Sequence, residues 1–256
     1  MTVHIDPILV ELGPIRVSWY GLMYVFGFFA SYLLVRYQMK KKDFGLSKLE
    51  VENLYFYLIL GLIIGARLGY VLFYDLKMYL SDPLEIFAVW HGGMSFHGGF
   101  IGSTLAGLWC CKRSEVDPWQ VADLVMATAP IGLGFGRLGN FINGELFGRV
   151  TDMPWGMVFP AGGPLPRHPS QLYELFLEGV ALFVILWVAK DRVRVPGMLT
   201  ALFILLYGAF RFFVEFFRGD VYRGFIISGI SVSQGISILM FLVGIAGLII
   251  LRRKGK

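Results

Sequence analysis

Residues 136–148 read Gly136-Arg137-Leu138-Gly139-Asn140-Phe141-Ile142-Asn143-Gly144-Glu145-Leu146-Phe147-Gly148 and close an apolar run that begins at Trp119. The stretch places an arginine, two amides and a carboxylate among four glycines at the end of a hydrophobic segment. Polar and ionisable groups close to lipid are costly, so they persist where they serve a function. Reading this stretch therefore depends on whether the surrounding chain is a membrane protein.

Composition answers that question. Of 256 residues, 56% are hydrophobic and 16% charged, with a mean hydropathy of +0.66. A soluble domain carries about 25% charged residues. The surplus apolar surface requires lipid, and the expected class is an all-α polytopic membrane protein. Runs of spanning length fall near 19–37, 54–74, 96–111, 119–137, 171–189, 197–217 and 231–251. The third is short, and the fourth contains Asp123 and two prolines. The sequence predicts about seven transmembrane helices in a single domain, 1–256, with a long loop over 138–170 that forms a small head.

Basic residues set the orientation. Arg36, Lys40, Lys41, Lys42, Lys48, Lys112, Arg113, Lys190, Arg192, Arg194, Arg252, Arg253, Lys254 and Lys256 fall on one side of the alternating runs. Arg16, Lys77, Arg149, Arg167, Arg218 and Arg223 fall on the other. Fourteen against six places the first set in the cytoplasm, the N-terminus outside and the 138–170 loop on the periplasmic side. The net charge of +5 thus reads as membrane topology, and no nucleic-acid partner is expected. The first fifteen residues lack a basic n-region and read as an outer segment lying on the membrane, with no cleaved signal peptide.

Polar residues gather on the outer side: Tyr20, His91, His97, the 136–148 stretch, His168 to Gln171 with Glu174 and Glu178 beyond, and Tyr207, Arg211 and Glu215. The last three are four residues apart and share one helix face. Arg67 and Glu178 are less easily assigned. The adjacent Cys110 and Cys111 read as small apolar residues. Gly132, Gly134 and Gly136 lack the preceding strand of a dinucleotide loop, and no HExxH or paired-Asp pattern suggests a metal. No cofactor is expected.

Two arginines in low dielectric suit a phosphate group, which their planar forks match. The phosphates available at this depth belong to phospholipids. Arg137 and Arg211 are the candidates, with Asn140 and Asn143 available to a polar headgroup. His97, Glu145 and Glu215 are candidate acids or bases. A bland reading, in which Arg211 and Glu215 only neutralise one another, stays open. So does a phospholipid-binding transporter or flippase, although transport calls for polar groups along a path.

The run from Gly136 to Glu145 with Gly148 resembles the signature of the bacterial prolipoprotein diacylglyceryl transferase family. Four further blocks extend the resemblance over essentially the whole chain: Trp19 to Tyr24, His91 to Gly99, Arg167 to Glu174, and Tyr207 to Arg218. The resemblance implies a metal-independent transferase of the bacterial inner membrane, with its active site toward the periplasm. Its members move the diacylglyceryl group of phosphatidylglycerol onto the lipobox cysteine of a prolipoprotein signal peptide. The implied partners are phosphatidylglycerol, prolipoprotein signal peptides and membrane lipids. The implied catalytic residues are His97, Arg137, Arg211, Glu145 and Tyr20. Phosphatidylglycerol would meet Arg137, Asn140, Asn143, Gly144, Gly148, Tyr207, Arg211 and Glu215. In this assignment the arginines face the phosphate, His97 is the candidate base for the thiol with the positive field of the arginines alone as its rival, and Glu215 holds Arg211.

Overall fold

The computed structural model describes residues 1–13, 15–219, 225–227 and 229–254. Arg223 and Lys256, both used in the charge asymmetry, lie outside the described residues. In chain order the elements are strands β1 (Ile8–Leu12) and β2 (Ile15–Ser18), then helices α1 (Trp19–Lys41), α2 (Lys48–Phe73), α3 (Leu76–Ser81), α4 (Phe96–Arg113), α5 (Pro118–Met126) and α6 (Ala129–Ile142). Next come α7 (Ser170–Glu174), a π-helical stretch Leu175–Ala181 and α8 (Leu182–Ala189), which together form one helix, Ser170–Ala189. Helix α9 (Met198–Glu215), strands β3 (Phe225–Ile227) and β4 (Ile230–Ser231), and α10 (Val232–Lys254) follow.

Among the described residues, α2, the Ser170–Ala189 helix, α9 and α10 are long and apolar enough to cross a membrane. The pair α5–α6, bent by 45°, makes a fifth if it counts as one span. The runs at 19–37 and 96–111 are also helical, as α1 and α4, but they are not in that set. Glycines, tyrosines, serine and histidine dilute their apolar content. Two other expectations need adjusting. The first residues form an antiparallel β1–β2 hairpin, and Thr2 pairs with Val158. The loop expected from 138 starts at Asn143, because α6 continues through Ile142.

The chain divides into two compact units, Met1–Tyr37 with Ala122–Lys256, and Gln38–Val121. In the first, glycines let backbones approach as they do in membrane helix pairs. A Cβ on Gly179 would lie 2.8 Å from the Gly134 Cα, and one on Gly244 would lie 2.6 Å from Leu205. Pro130 in the first turn of α6 accompanies the bend after α5. There Thr128 Oγ1 donates to the Val125 carbonyl and meets Ser31 Oγ at 2.7 Å. Asp123, out of place in an apolar run, has a clear task. Its carboxylate accepts from the backbone N–H of Gly197 (2.8 Å) and Thr200 (2.7 Å) and from the Thr200 hydroxyl (2.6 Å). It thereby serves the unsatisfied donors and the positive end of α9. Ala127, Leu182, Leu186 and Leu199 form an apolar core beside it.

In the second unit, α2 starts with a capping box: Ser47 Oγ accepts from the Glu50 N–H, and Glu50 returns the bond to the Ser47 N–H. Helices α2 and α4 then pack glycine to glycine. A Cβ on Gly61 would lie 2.5 Å from the Gly102 carbonyl, and one on Gly65 would lie 2.4 Å from the Gly98 carbonyl. The glycines of the His91–Gly99 block and those after it are therefore partly packing positions.

Candidate active site

The 136–148 stretch is a helix end and a turn rather than an open loop. Asn143 caps α6, and Gly144 follows in the left-handed conformation at φ +64°, where an L side chain is strained. Leu146 also takes a positive φ, +57°, a costly state for a leucine that surrounding contacts must hold. Those contacts come from the His168–Gln171 block. Gln171 Nε2 donates to the Glu145 carbonyl (2.6 Å), and Ser170 Oγ donates to the Leu146 carbonyl (2.9 Å). The Gly148 N–H donates to the His168 carbonyl at 2.8 Å. Gly148 itself is hemmed in: a Cβ there would lie 2.4 Å from the Phe217 carbonyl and 2.7 Å from the His168 backbone. Two blocks far apart in sequence thus form one turn.

Within that turn the amides converge on Glu145. Buried Asn140 donates to Glu145 Oε1 at 2.8 Å and Asn143 donates to the same oxygen at 3.3 Å. Tyr20 packs into the notch left by Gly139, where a Cβ would lie 2.8 Å from its ring. Its hydroxyl lies 3.2 Å from that of Tyr24. Just before α7, His168 Nδ1 lies 3.0 Å from the Tyr173 hydroxyl, and its ring meets Phe217 edge-on. Burial pushes the His168 imidazole below its usual pKa, partly offset by the charge of Asp152.

Behind the turn lies a buried ionic cluster. Arg137 from α6 contacts Glu174 (Nε to Oε2, 3.2 Å) and Glu178 (Nη2 to Oε2, 3.5 Å). Arg211 from α9 contacts Glu174 Oε1 at 2.5 Å and Glu215 Oε2 at 2.8 Å. Arg218 contacts Glu174 Oε1 as well, and lies 4.0 Å from Glu215. Glu174 and Glu178 are fully buried, while the Arg137 and Arg211 side chains keep 19% and 15% exposure. Three cations face three carboxylates, and Glu174 touches all three arginines. Glu215 is also tied to Ser231, whose hydroxyl lies 2.9 Å away. The π-helical stretch begins right after Glu174 and carries Glu178. Such irregular turns recur at functional sites.

The structure therefore brings together Arg137, Arg211 and Glu215, and beside them Asn140, Asn143, Gly144, Glu145 and Gly148. Tyr207 stands one turn before Arg211 on α9, stacked against Phe203 (centroids 5.8 Å) and packed on the apolar core. His97 is the second residue of α4, in the other compact unit, edge-on to Phe96 (centroids 5.6 Å). Sequence reasoning missed Glu174, Glu178 and Arg218 as partners of the two arginines. Part of the signal was available. Residues 211 and 215 are spaced i, i+4 on α9, and 174 and 178 have the same spacing on their own helix, whereas Arg218 lies beyond the end of α9, bridged to Gly148.

Several apolar helices of spanning length, enclosing a buried arginine–carboxylate cluster, define a multi-pass membrane protein. Sequence comparison narrows this class. The family profile of prolipoprotein diacylglyceryl transferase matches residues 7–250. A phosphatidylglycerol–prolipoprotein diacylglyceryl transferase of Desulfotalea psychrophila is 54% identical over 94% of this chain and 91% of its own. Those of Geobacter sulfurreducens and Bordetella avium are each 50% identical, over 98% of this chain and 97% and 96% of theirs. The chain belongs to the prolipoprotein diacylglyceryl transferase family.

Proposed function

We propose that the chain transfers the sn-1,2-diacylglyceryl group of phosphatidylglycerol to the lipobox cysteine thiol of a prolipoprotein. The products are a thioether and glycerol 1-phosphate, and the step opens bacterial lipoprotein maturation. The observation that carries this reading is the buried cluster of Arg137, Arg211 and Arg218 with Glu174, Glu178 and Glu215. Family membership and the names of the relatives support it.

The chemistry follows from charge. The thiolate sulfur attacks the sp3 carbon that bears the phosphate, and a C–S bond forms as the C–O bond breaks. The bonding pair leaves on the phosphate oxygen, so a singly charged diester becomes a monoester headed for two charges. The thiol proton goes to a base or ends on that phosphate. Cations at the phosphate stabilise the transition state more than the ground state. The ion pairs above leave Nη1 of Arg137 and Nε of Arg211 outside them, and Glu174 holds the seat that an incoming phosphate would contest. A free thiol has a pKa near about 8.5, so it needs a base or a positive field. His97 is the assigned base. Asn140, Asn143 and Glu145, with Tyr20 against Gly139, orient the glycerol headgroup or the peptide. Gly144 and Gly148 give the turn its shape, and Tyr207 lines the Arg211 face.

In the full arrangement seven spans cross the bacterial inner membrane, with the N-terminus outside and the C-terminus in the cytoplasm. The segment after Asn143 forms the periplasmic head. The seven apolar runs, all helical, and the basic-residue asymmetry support it. A transporter reading loses its main support at Arg67, which is committed to backbone carbonyls. The test is to incubate the purified protein with labelled phosphatidylglycerol and a lipobox peptide. A peptide mass increase equal to the diacylglyceryl group, with glycerol phosphate released, is expected. Lipid binding without a modified peptide would defeat the proposal.

A further inference from the structure

Arg67 sits in the apolar body of α2 and is only 3% exposed. Its guanidinium meets backbone carbonyls on every nitrogen. Nε donates to Ile86 (2.9 Å), Nη1 to Gly92 and Gly93 (3.2 Å to the latter), and Nη2 to Glu85 and Ala88 (3.1 Å to the latter). An arginine has five N–H donors, and here five carbonyls receive them. The guanidinium also lies 5.0 Å from the centre of the Tyr79 ring. Burying a cation is expensive, and these contacts make sense as a means of fixing an irregular segment.

That segment leads directly to His97. It runs through two short 3-10 turns, Pro83–Phe87 and Val89–His91, then through Gly92 and Gly93 at φ +84° and +75°. A Cβ on Gly93 would lie 2.9 Å from Arg67 Nη1, so the left-handed glycine lets the chain close onto the guanidinium. The preceding residue on α2 adds a second hold: the Ala66 carbonyl accepts the Ser95 N–H at 2.8 Å. Ser95 caps α4, accepting from the Gly98 N–H at 3.3 Å. On the far side of His97, Gly98 packs against Gly65 and Gly69. The His97 backbone is thus gripped from both sides by α2, while its side chain is exposed.

We propose that Arg67 is a positioning residue for the transfer reaction: it fixes residues 85–95 and thereby the N-terminus of α4 that presents His97. The inference rests on the assignment of His97 as the thiol base. A general base displaced by about 1 Å can cost a factor of about 100 in rate. Lysine keeps the charge but offers three donors from a point, and cannot reproduce a planar five-donor fork.

The experiment measures kcat and KM for phosphatidylglycerol in Arg67→Lys, Gly93→Ala and His97→Asn. Gly93→Ala loosens the same segment without altering the arginine, so it keeps the test alive if Arg67→Lys does not fold. Arg67→Lys and Gly93→Ala are each expected to lower kcat by roughly 10–100-fold while KM changes less than about twofold. Backbone hydrogen exchange over 85–95 should rise in both. Wild-type kcat in both, with His97→Asn impaired, overturns the positioning role alone. A large rise in KM with kcat preserved also overturns it. Wild-type turnover in His97→Asn removes the base assignment, and the proposal falls with it.

Discussion

Arg137, Arg211 and Arg218 on one side, and Arg67 on the other, are two ways of keeping an arginine inside an apolar protein. The first three are met by the carboxylates of Glu174, Glu178 and Glu215. Arg67 is met by the dipoles of five carbonyls. A carboxylate is an anion, and another anion can take its place. Carbonyls fixed in a turn cannot be traded, so they make a brace. Under the proposed function, the difference separates a site from a scaffold by the identity of the acceptor.

Breaking the site should have the largest effect. Arg211→Ala should lower kcat by about 100–1,000-fold, the cost of losing an aimed donor at a developing anion. Arg211→Lys should also be impaired, because the bidentate fork is lost. Peptide lipidation measures both. Second in size is Glu174→Gln, which leaves three arginines against two carboxylates. Removing one partner from a buried charge cluster costs about 3–5 kcal/mol, so the melting temperature in detergent should fall clearly. An unchanged melting temperature would mean the cluster does not hold these helices together.

The scaffold can be challenged too. Gly65→Ala forces a methyl group toward the Gly98 carbonyl, where a Cβ would lie at 2.4 Å. Overpacking of this kind costs about 1–3 kcal/mol, seen as a lower melting temperature. The smallest effect concerns His168. Its folded-state pKa is lowered, so its burial favours the neutral ring. The contribution is complete above the unfolded pKa of about 6.5 and is lost as pH falls through the lower folded value. His168→Gln should flatten that acid limb of the stability profile, and an unchanged limb would assign it to another group.

Much of this was legible in the sequence. Apolar runs marked the helices, and the spacing of Tyr207, Arg211 and Glu215 put two members of the ionic cluster on one face. Arg218 read as a loop residue and does lie past the end of α9, so no helical period pointed to its place in the cluster. What could not be read was pairing across distance. Glu174 meets Arg211 over 37 residues, and Gln171 reaches the Glu145 carbonyl over 26. No helical period links such positions. Asp123 looked like a flaw in a span for the same reason, since its partners Gly197 and Thr200 lie 74 and 77 residues away. The continuation of α6 through Asn140 was hidden by Gly139, which read as loop but leaves the room that Tyr20 fills.

The central claim is that Arg137 and its partners hold the phosphate of the lipid donor during transfer. Turnover of a lipobox peptide with phosphatidylglycerol by Arg137→Ala, on protein shown to be folded by its melting transition, tests it most directly. Loss of transfer with the fold intact is the expected result. Near-wild-type turnover would contradict the claim and leave the cluster as a structural brace.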